Sequence, residues 1–450
     1  MKVAKFGGTS LASAEQIKKV CDIILSDPER RLIVVSAPGK RFKEDIKVTD
    51  LLIQCAESQI KNGRAEKERN AVIDRYREIA DNLNLSGHIV DVIEEDLNRR
   101  LLSNTGNEDR FMDLMKAAGE DNTAKLVAEY LNSRGVKAEY INPKAAGLLL
   151  SDEFGNARVL PESYDNLRNY LSARSGIMVF PGFFGYSRGG DVVTFPRGGS
   201  DISGSILAAA VQAEVYENFT DVDSVFAANP NIISNPKPIP ELTYKEMREL
   251  SYAGFSVLHE EALEPVYRMG ITVCIKNTNN PSAPGTRIVA DRTSSNGPVV
   301  GIASDSGFCS IFISKYMMNR EVGFGRKVLS ILEDESLSYE HTPSGIDNIS
   351  IILNQKQLDS EKEERILKRI KDELKVDDIY IERDLAMIMI VGVGMMSTVG
   401  VAARATGALA RAAVNIDMIN QGASEVSIMF GIKASDSIEA VKALYHEFFE

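Results

Sequence analysis

The sequence predicts an α/β chain: a mainly parallel sheet with helices on both faces, followed by two small α+β sandwiches. Three observations carry this. Short apolar runs of β type alternate with amphipathic stretches as far as residue 219. A segment rich in Pro, Gly and Ser, PSAPGTRIVADRTSSNGP at 281–298, interrupts the later chain. Beyond it, residues 308–353 repeat in 385–430 at a constant offset of 77 without a gap. The expected division is one domain over residues 1–290 and two sandwiches over 299–376 and 377–450.

Taken in order, Val3-Ala4 begins a strand that runs into KFGGTS (5–10), and a helix is expected from about Ser13. Strands follow at 31–35, 137–141, 176–180 and 214–219, with a helix at 47–61. Residues 65–102 are charged and 3.6-periodic, which predicts a helical insertion of structural character. Helices are expected at 123–131, just after Gly119-Glu120, and at 202–211, just after Arg197-Gly-Gly-Ser-Asp201. Each repeat reads β–loop–α–β–β with a further helix, at 360–374 and at 437–449. Gly323 aligns with Gly400, Leu332 with Leu409 and Gly345 with Gly422.

Composition narrows the function. With 450 residues, 44% hydrophobic and 26% charged, the chain can bury large cores. Its net charge of -12 argues against a nucleic-acid or anionic-membrane surface, so an anionic ligand must be met by locally concentrated donors. The longest apolar run, 385–396, is short for a membrane span, and the N-terminus lacks the apolar core of a signal peptide; a soluble cytoplasmic protein is expected. Cys21, Cys55, Cys274 and Cys309 are widely spaced and read as core residues, with no protein-held metal site predicted. The four histidines read as structural.

Lys5-Phe-Gly-Gly-Thr-Ser10 joins a fixed cation to glycines and hydroxyls. Two readings stand: a phosphate cradle, or an ordinary strand–turn–helix, since the segment is not the G-x-x-x-x-G-K-[ST] pattern. Four more segments suit the first reading: VVSAPG (34–39) with Thr49-Asp50, Gly119-Glu120, RGGSD (197–201) and TDVD (220–223). All fall where strands end and helices or loops begin, which is where open α/β sheets bind ligands. In the repeats, a Gly-containing loop that opens a helix suits either a tight turn or a small carboxylate at its N–H groups.

Together with KVTDLL (47–52), AGE (118–120), ELSYAGFSVLH (249–259), IKNTNNPSAPGT (275–286) and NIDMINQGASEVSI (415–428), these segments span the chain in an order that resembles the aspartokinases of the amino-acid kinase family. The resemblance implies an amino-acid kinase domain followed by paired ACT domains, and the length lacks room for the homoserine dehydrogenase fused to some relatives. It implies transfer of phosphate from ATP, with Mg2+, to the β-carboxylate of L-aspartate, giving 4-phospho-L-aspartate, the first step of lysine, threonine and methionine biosynthesis. Two other readings are an amino-acid sensor of the same fold without turnover, and a kinase for another amino acid. By the same resemblance, Lys5 and Asp201 are catalytic. Lys5, Gly7, Gly8 and Ser10 hold phosphates, with Thr220, Asp221, Phe226 and Lys276 toward the nucleotide. Ser36, Thr49, Glu120, Arg197, Gly198, Gly199 and Ser200 bind aspartate, with Glu120 on its ammonium and Arg197 on a carboxylate. The chain departs from many relatives at Asn231, Asn279, Ala117 and Asp121-Asn122.

The ACT pair implies feedback by an amino acid, at Met318, Asn319, Gly323, Phe324, Gly325, Glu340, Ser344 and Asp347. Glu340 and Asp347 favour lysine over threonine, because threonine has no second cation for them. A homodimer, or a dimer of dimers, through the ACT domains is the expected assembly.

Overall fold

The computed structural model describes residues 1–255, 257–292, 297–422 and 424–450. Ser256 of the 249–259 motif, residues 293–296 of the Pro/Gly/Ser-rich segment and Ala423 of the 415–428 motif lie outside the described residues. The chain separates into two units. One holds Met1–Val225, Pro238–Ser251 and Ser256–Arg292; the other holds Phe226–Lys237, Tyr252–Phe255 and Thr293–Glu450.

The first part of the chain runs β1 Lys2–Phe6, α1 Ala14–Leu25, β2 Arg30–Val35, α2 Val48–Asn62, α3 Glu66–Asn82, α4 His88–Leu101, α5 Glu108–Lys116 and α6 Ala118–Ser133. It continues through β3 Ala138–Tyr140, α7 Pro143–Ala146, α8 Glu162–Ser172, β4 Ile177–Pro181, β5 Phe184–Tyr186, β6 Val192–Thr194, α9 Gly199–Ala210 and β7 Val215–Thr220. After β8 Val225–Phe226 and β9 Pro238–Ile239 come β10 Glu241–Thr243, α10 Tyr244–Tyr252, α11 Glu264–Met269, β11 Thr272–Asn277 and β12 Thr286–Val289.

One sheet takes the order β10-β12-β11-β7-β1-β2-β4-β3. Every pairing in it is parallel except β11 with β12. The central strands are near-continuous apolar runs because helices cover both faces. Phe6 of β1 stacks on Phe219 of β7 at 4.8 Å between ring centroids, within a core that α1, α2, α3 and α6 help to fill. Ser13 caps α1 as its position suggested, its hydroxyl accepting from the Gln16 N–H.

Two helices start earlier than the sequence suggested. α6 begins at Ala118 and α9 at Gly199, so Glu120 and Asp201 sit inside the first helical turn instead of in the preceding loops. Acidic side chains are favoured there by the helix dipole, and a glycine at residue 198 in the left-handed region allows the abrupt entry into α9.

The second unit carries β13 Gly301–Ser314, α12 Phe324–Asp334, β14 Asn348–Asn354, α13 Ser360–Leu374, β15 Asp378–Val391, α14 Val401–Arg411, β16 Met418–Asn420, β17 Ser427–Lys433 and α15 Ser437–Phe449. The repeat is visible in these bounds: α12 and α14 are displaced by 77 positions, as are the starts of α13 and α15. Gly323 and Gly400 cap α12 and α14 in the same left-handed region, at φ +79° and +90°.

The two copies share strands. The sheet runs β14-β13-β15-β17-β16, and β13 and β15 are 14 residues each. Residues 301–306 pair with 386–391 beside β17, whereas 310–314 pair with 378–382 beside β14. Bulges about Phe308 separate the halves. Strand pairing therefore crosses the expected division at 376/377: each long strand serves one copy with one half and the other copy with the other. Cys309, Ile311 and Ile313 pack with Phe324, Val328 and Ile366 as the core of the first copy.

Among the described residues no helix is long and apolar enough to cross a membrane. Cys21, Cys55 and Cys309 are buried and Cys274 is half-buried, all as free thiols. Burial pushes the Cys21 and Cys55 thiols up to about 12, leaving them inert at neutral pH.

Candidate functional site

Lys5 is the penultimate residue of β1, opposite Val34 of β2 and Asn218 of β7, so it lies at the carboxyl edge where the connections of the sheet diverge. Its ammonium is buried and lies 2.5 Å from Asp201 Oδ1 and 3.4 Å from Asn218 Oδ1. Asn218 Nδ2 donates to the same Asp201 oxygen at 2.9 Å, and the Tyr216 hydroxyl donates to the Asp201 carbonyl at 3.1 Å. A buried ion pair holds only when further hydrogen bonds offset its desolvation, and β7 supplies them. Asn218 and Tyr216 were not anticipated. Their signal was present, since Glu217-Asn218 places two polar residues inside an otherwise apolar central strand.

The glycine turn after β1 is drawn against the loop after β2. The Gly39 N–H donates to the Gly8 carbonyl at 2.8 Å, and a Cβ on Gly39 would lie 2.6 Å from the Gly8 carbonyl carbon. Only glycine permits that approach. Lys5 from β1, Gly7 and Gly8 from this turn, Ser36 just after β2, Thr49 from α2, Glu120 from α6, and residues 198–201 at the start of α9 line one cavity of about 220 Å3. Phe183, in the left-handed region at φ +75°, completes the wall; its N–H donates to Ser203 Oγ at 2.9 Å.

Glu120 has the most constrained environment. Its side chain is buried, and Oε2 has no hydrogen-bond partner among the described residues. Burial pushes its carboxyl up to about 8, with the Ala37 and Glu120 N–H groups acting in the opposite direction. Its unusual neighbours anchor the helix: Asp121 accepts from Arg100 and Lys125, at 2.8 and 2.9 Å, and from the Tyr140 hydroxyl, while Asn122 donates to Asp96 at 3.2 Å.

Gly198 adopts φ +82°, and a Cβ there would lie 2.5 Å from the Cβ of His259. Gly198→Ala is expected to cost about 1–3 kcal/mol of stability. It should also raise the KM for the substrate held at α9; thermal unfolding and steady-state kinetics check both.

The other predicted residues fall outside this cavity. Arg197 is exposed, beside Gly198, and its guanidinium has no hydrogen bond among the described residues. The Ser10 hydroxyl is paired with that of Thr278 at 2.7 Å, tying the glycine turn to the end of β11. Thr220 and Lys276 lie at the ends of β7 and β11 with Asp221 just beyond, forming a second group, and Phe226 belongs to the second unit. Asn279 Oδ1 accepts from Lys19 Nζ at 3.0 Å and Gln16 Nε2 at 3.1 Å, so a lysine reaches this position from α1 and not from Lys276.

In the second unit, Met318, Asn319, Gly323, Phe324 and Gly325 occupy the turn and first residues leading from β13 into α12. Asp347 joins them: its carboxylate accepts the Met317 N–H at 2.8 Å and its carbonyl the Lys315 N–H at 2.8 Å. Ser344 bridges to Ile349. Glu340 does not converge with Asp347. Its N–H donates to the Ile352 carbonyl and its carboxylate takes the Tyr252 hydroxyl, at the far end of β14 from Asp347. Four strand residues, about 13 Å at the usual rise, separate the two ends.

Residues 1–277 match the amino acid kinase family, and residues 388–448 match an ACT domain. The chain is 59% identical to aspartokinase 3 of Bacillus subtilis over 449 residues, spanning 100% of this chain and 99% of that one. The crystal structure of Clostridium acetobutylicum aspartate kinase superposes with a TM-score of 0.87 at 40% identity, covering 100% of both chains. E. coli aspartokinase III, solved in complex with lysine and aspartate (T-state), gives 0.77 at 25% identity, again over 100% of both.

Proposed function

The chain belongs to the aspartokinases of the amino acid kinase family and is an aspartate kinase; from that premise we propose how its residues divide the reaction. ATP places its phosphates against Lys5, Gly7 and Gly8, and L-aspartate lies between Glu120, Ser36, Thr49 and α9, with Arg197 on a carboxylate. One observation carries this: a buried carboxylate oxygen on Glu120, without a partner among the described residues, lines the same cavity as the Lys5–Asp201 pair. Such an oxygen suits an ammonium group that the substrate brings.

A β-carboxylate has a pKa near ~4 and is already anionic at neutral pH, so no general base is needed. What the chain must do is position the acceptor and offset charge on the transferred phosphoryl group. Lys5 does the second, held by Asp201 and Asn218. The Gly199 and Ser200 N–H groups at the start of α9, ahead of the Asp201 and Ile202 N–H groups that donate to the Gly198 carbonyl, add a fixed positive end. Mg2+ carried with ATP would supply further charge neutralisation, and Asp201, whose Oδ1 is engaged by Lys5 and Asn218, is the cavity-wall carboxylate besides Glu120 that would hold it. Thr220, Asp221 and Lys276 take the nucleotide's other end. ATP-dependent acyl phosphate formation, trapped as the hydroxamate, is expected with L-aspartate and not with L-glutamate. Absence of product from aspartate at every magnesium concentration would sink the assignment.

The first unit then carries catalysis, with Phe226–Lys237 and Tyr252–Phe255 of the expected 1–290 domain going to the second unit, and the strand-sharing repeats 299–376 and 377–450 form a regulatory ACT pair through which two chains associate in the cytoplasm. Lysine is the proposed effector, in keeping with a place at the head of lysine and threonine biosynthesis. Because Glu340 and Asp347 stand apart, the support for lysine comes from the lysine-bound E. coli relative. Lysine should lower turnover where threonine does not; the reverse result reassigns the effector.

A further inference from the structure

We propose that Arg75 and Tyr76, neighbours on α3, are positioning residues that set the spacing between the two walls of the cavity. This rests on the reading of those walls as the phosphate and aspartate sides. α3 belongs to the charged helical insertion, in which the sequence shows no chemistry.

Arg75 is buried, 4% exposed. Its Nη2 donates to the Gly39 carbonyl at 2.7 Å and the Ala12 carbonyl at 3.1 Å, and its Nη1 to Asp45 Oδ2 at 2.7 Å. Gly39 is hydrogen-bonded to Gly8, and Ala12 ends the short helical turn Gly8–Leu11. One guanidinium thus grips both segments of the phosphate turn, a task for its planar fork that a single ammonium cannot repeat. Asp45 is fixed in turn by Arg41, whose N–H and Nε both donate to it at 2.9 Å.

Tyr76 is 1% exposed and serves the opposite wall. Its hydroxyl donates to the Gly119 carbonyl at 2.7 Å and lies 3.1 Å from Thr123 Oγ1. Gly119 directly precedes Glu120 and is packed so closely on the β2 loop that a Cβ there would lie 2.7 Å from the Ala37 Cβ. Successive residues of a helix point about 100° apart, which is why adjacent side chains reach two different elements. One rigid helix therefore references Gly8 and Glu120 to each other. Phosphoryl transfer needs donor and acceptor in near-contact, and a misplacement of about 1 Å can cost a hundredfold in rate.

The two ends predict separable defects. Tyr76→Phe removes one hydroxyl and should raise the KM for aspartate severalfold and lower kcat about tenfold, leaving the KM for ATP unchanged. Arg75→Lys and Arg75→Met should raise the KM for ATP more than that for aspartate. Circular dichroism and thermal unfolding establish that each variant is folded; if Arg75→Met is not, Tyr76→Phe and Arg75→Lys decide. A folded Tyr76→Phe or Arg75→Lys that moves both KM values together, or leaves kinetics unchanged, overturns the proposal. Lys5→Met is assayed in parallel. If it keeps wild-type turnover the reading of the cavity fails, whereas an inactive Lys5→Met with no kinetic split at residues 75 and 76 removes only the positioning role.

Discussion

Lys5→Met is expected to lower kcat by roughly a thousandfold, the loss typical of removing a preorganised charge from a transition state that spreads negative charge over phosphoryl oxygens. Methionine keeps length and apolar contacts but leaves Asp201 as a largely buried carboxylate, its side chain 14% exposed, whose remaining side-chain support among the described residues is Asn218. Stranding one partner of such a pair costs about 3–5 kcal/mol. Low turnover alone is therefore ambiguous. The double variant Lys5→Met with Asp201→Asn resolves it, since it removes the stranded charge and should recover most of the lost thermal stability without recovering turnover. Turnover within tenfold of wild type in a folded Lys5→Met would place the charge stabilisation elsewhere. Lys5→Arg should also fail: the larger planar fork cannot occupy the ammonium's position 2.5 Å from Asp201.

What the sequence disclosed and what it concealed follow from the range of the interactions. Periodicity is local, so α13 and α15 appear at the predicted residues, and the 77-residue repeat reappears as equal helix starts and matching left-handed glycines. The cavity's walls were legible because glycine turns and charged residues at strand ends are local patterns too. Arg75 and Tyr76 were not legible. They act on main-chain carbonyls 36 and 43 positions away, and a side chain that bonds to backbone leaves no complementary residue type to notice. Strand sharing in the second unit was hidden for a related reason, because which half of β13 pairs with which half of β15 is settled by a bulge and not by composition. Glu340 and Asp347 stand apart because Asp347 directly precedes β14, whereas Glu340 lies on the segment hydrogen-bonded to Ile352 farther along it: like residue types near opposite ends of one strand do not make one site.

Glu120→Gln is expected to raise the KM for aspartate about a hundredfold, or roughly 3 kcal/mol, as befits loss of a buried charge-assisted contact. The pH dependence is the sharper test. In the unliganded protein burial pushes the Glu120 carboxyl from its ordinary 4.5 to about 8. At neutral pH it is therefore mostly protonated, and must release its proton to receive an ammonium. kcat/KM for aspartate should climb by about tenfold per pH unit below 8 and level off above it, until the substrate's own ammonium deprotonates. kcat at saturating aspartate should be flatter, because the bound ammonium favours the ionised carboxylate. Stability carries the same signature with a defined sign. A group whose folded pKa is raised contributes stability that is full below the unfolded value, 4.5, and is lost as pH rises through 8. The free enzyme should thus become less stable across that window, aspartate should restore stability most strongly at its upper end, and Glu120→Gln should lose both slopes. A glutamine variant that keeps the wild-type profile of kcat/KM would assign the ionisation to another group and leave Glu120 as packing.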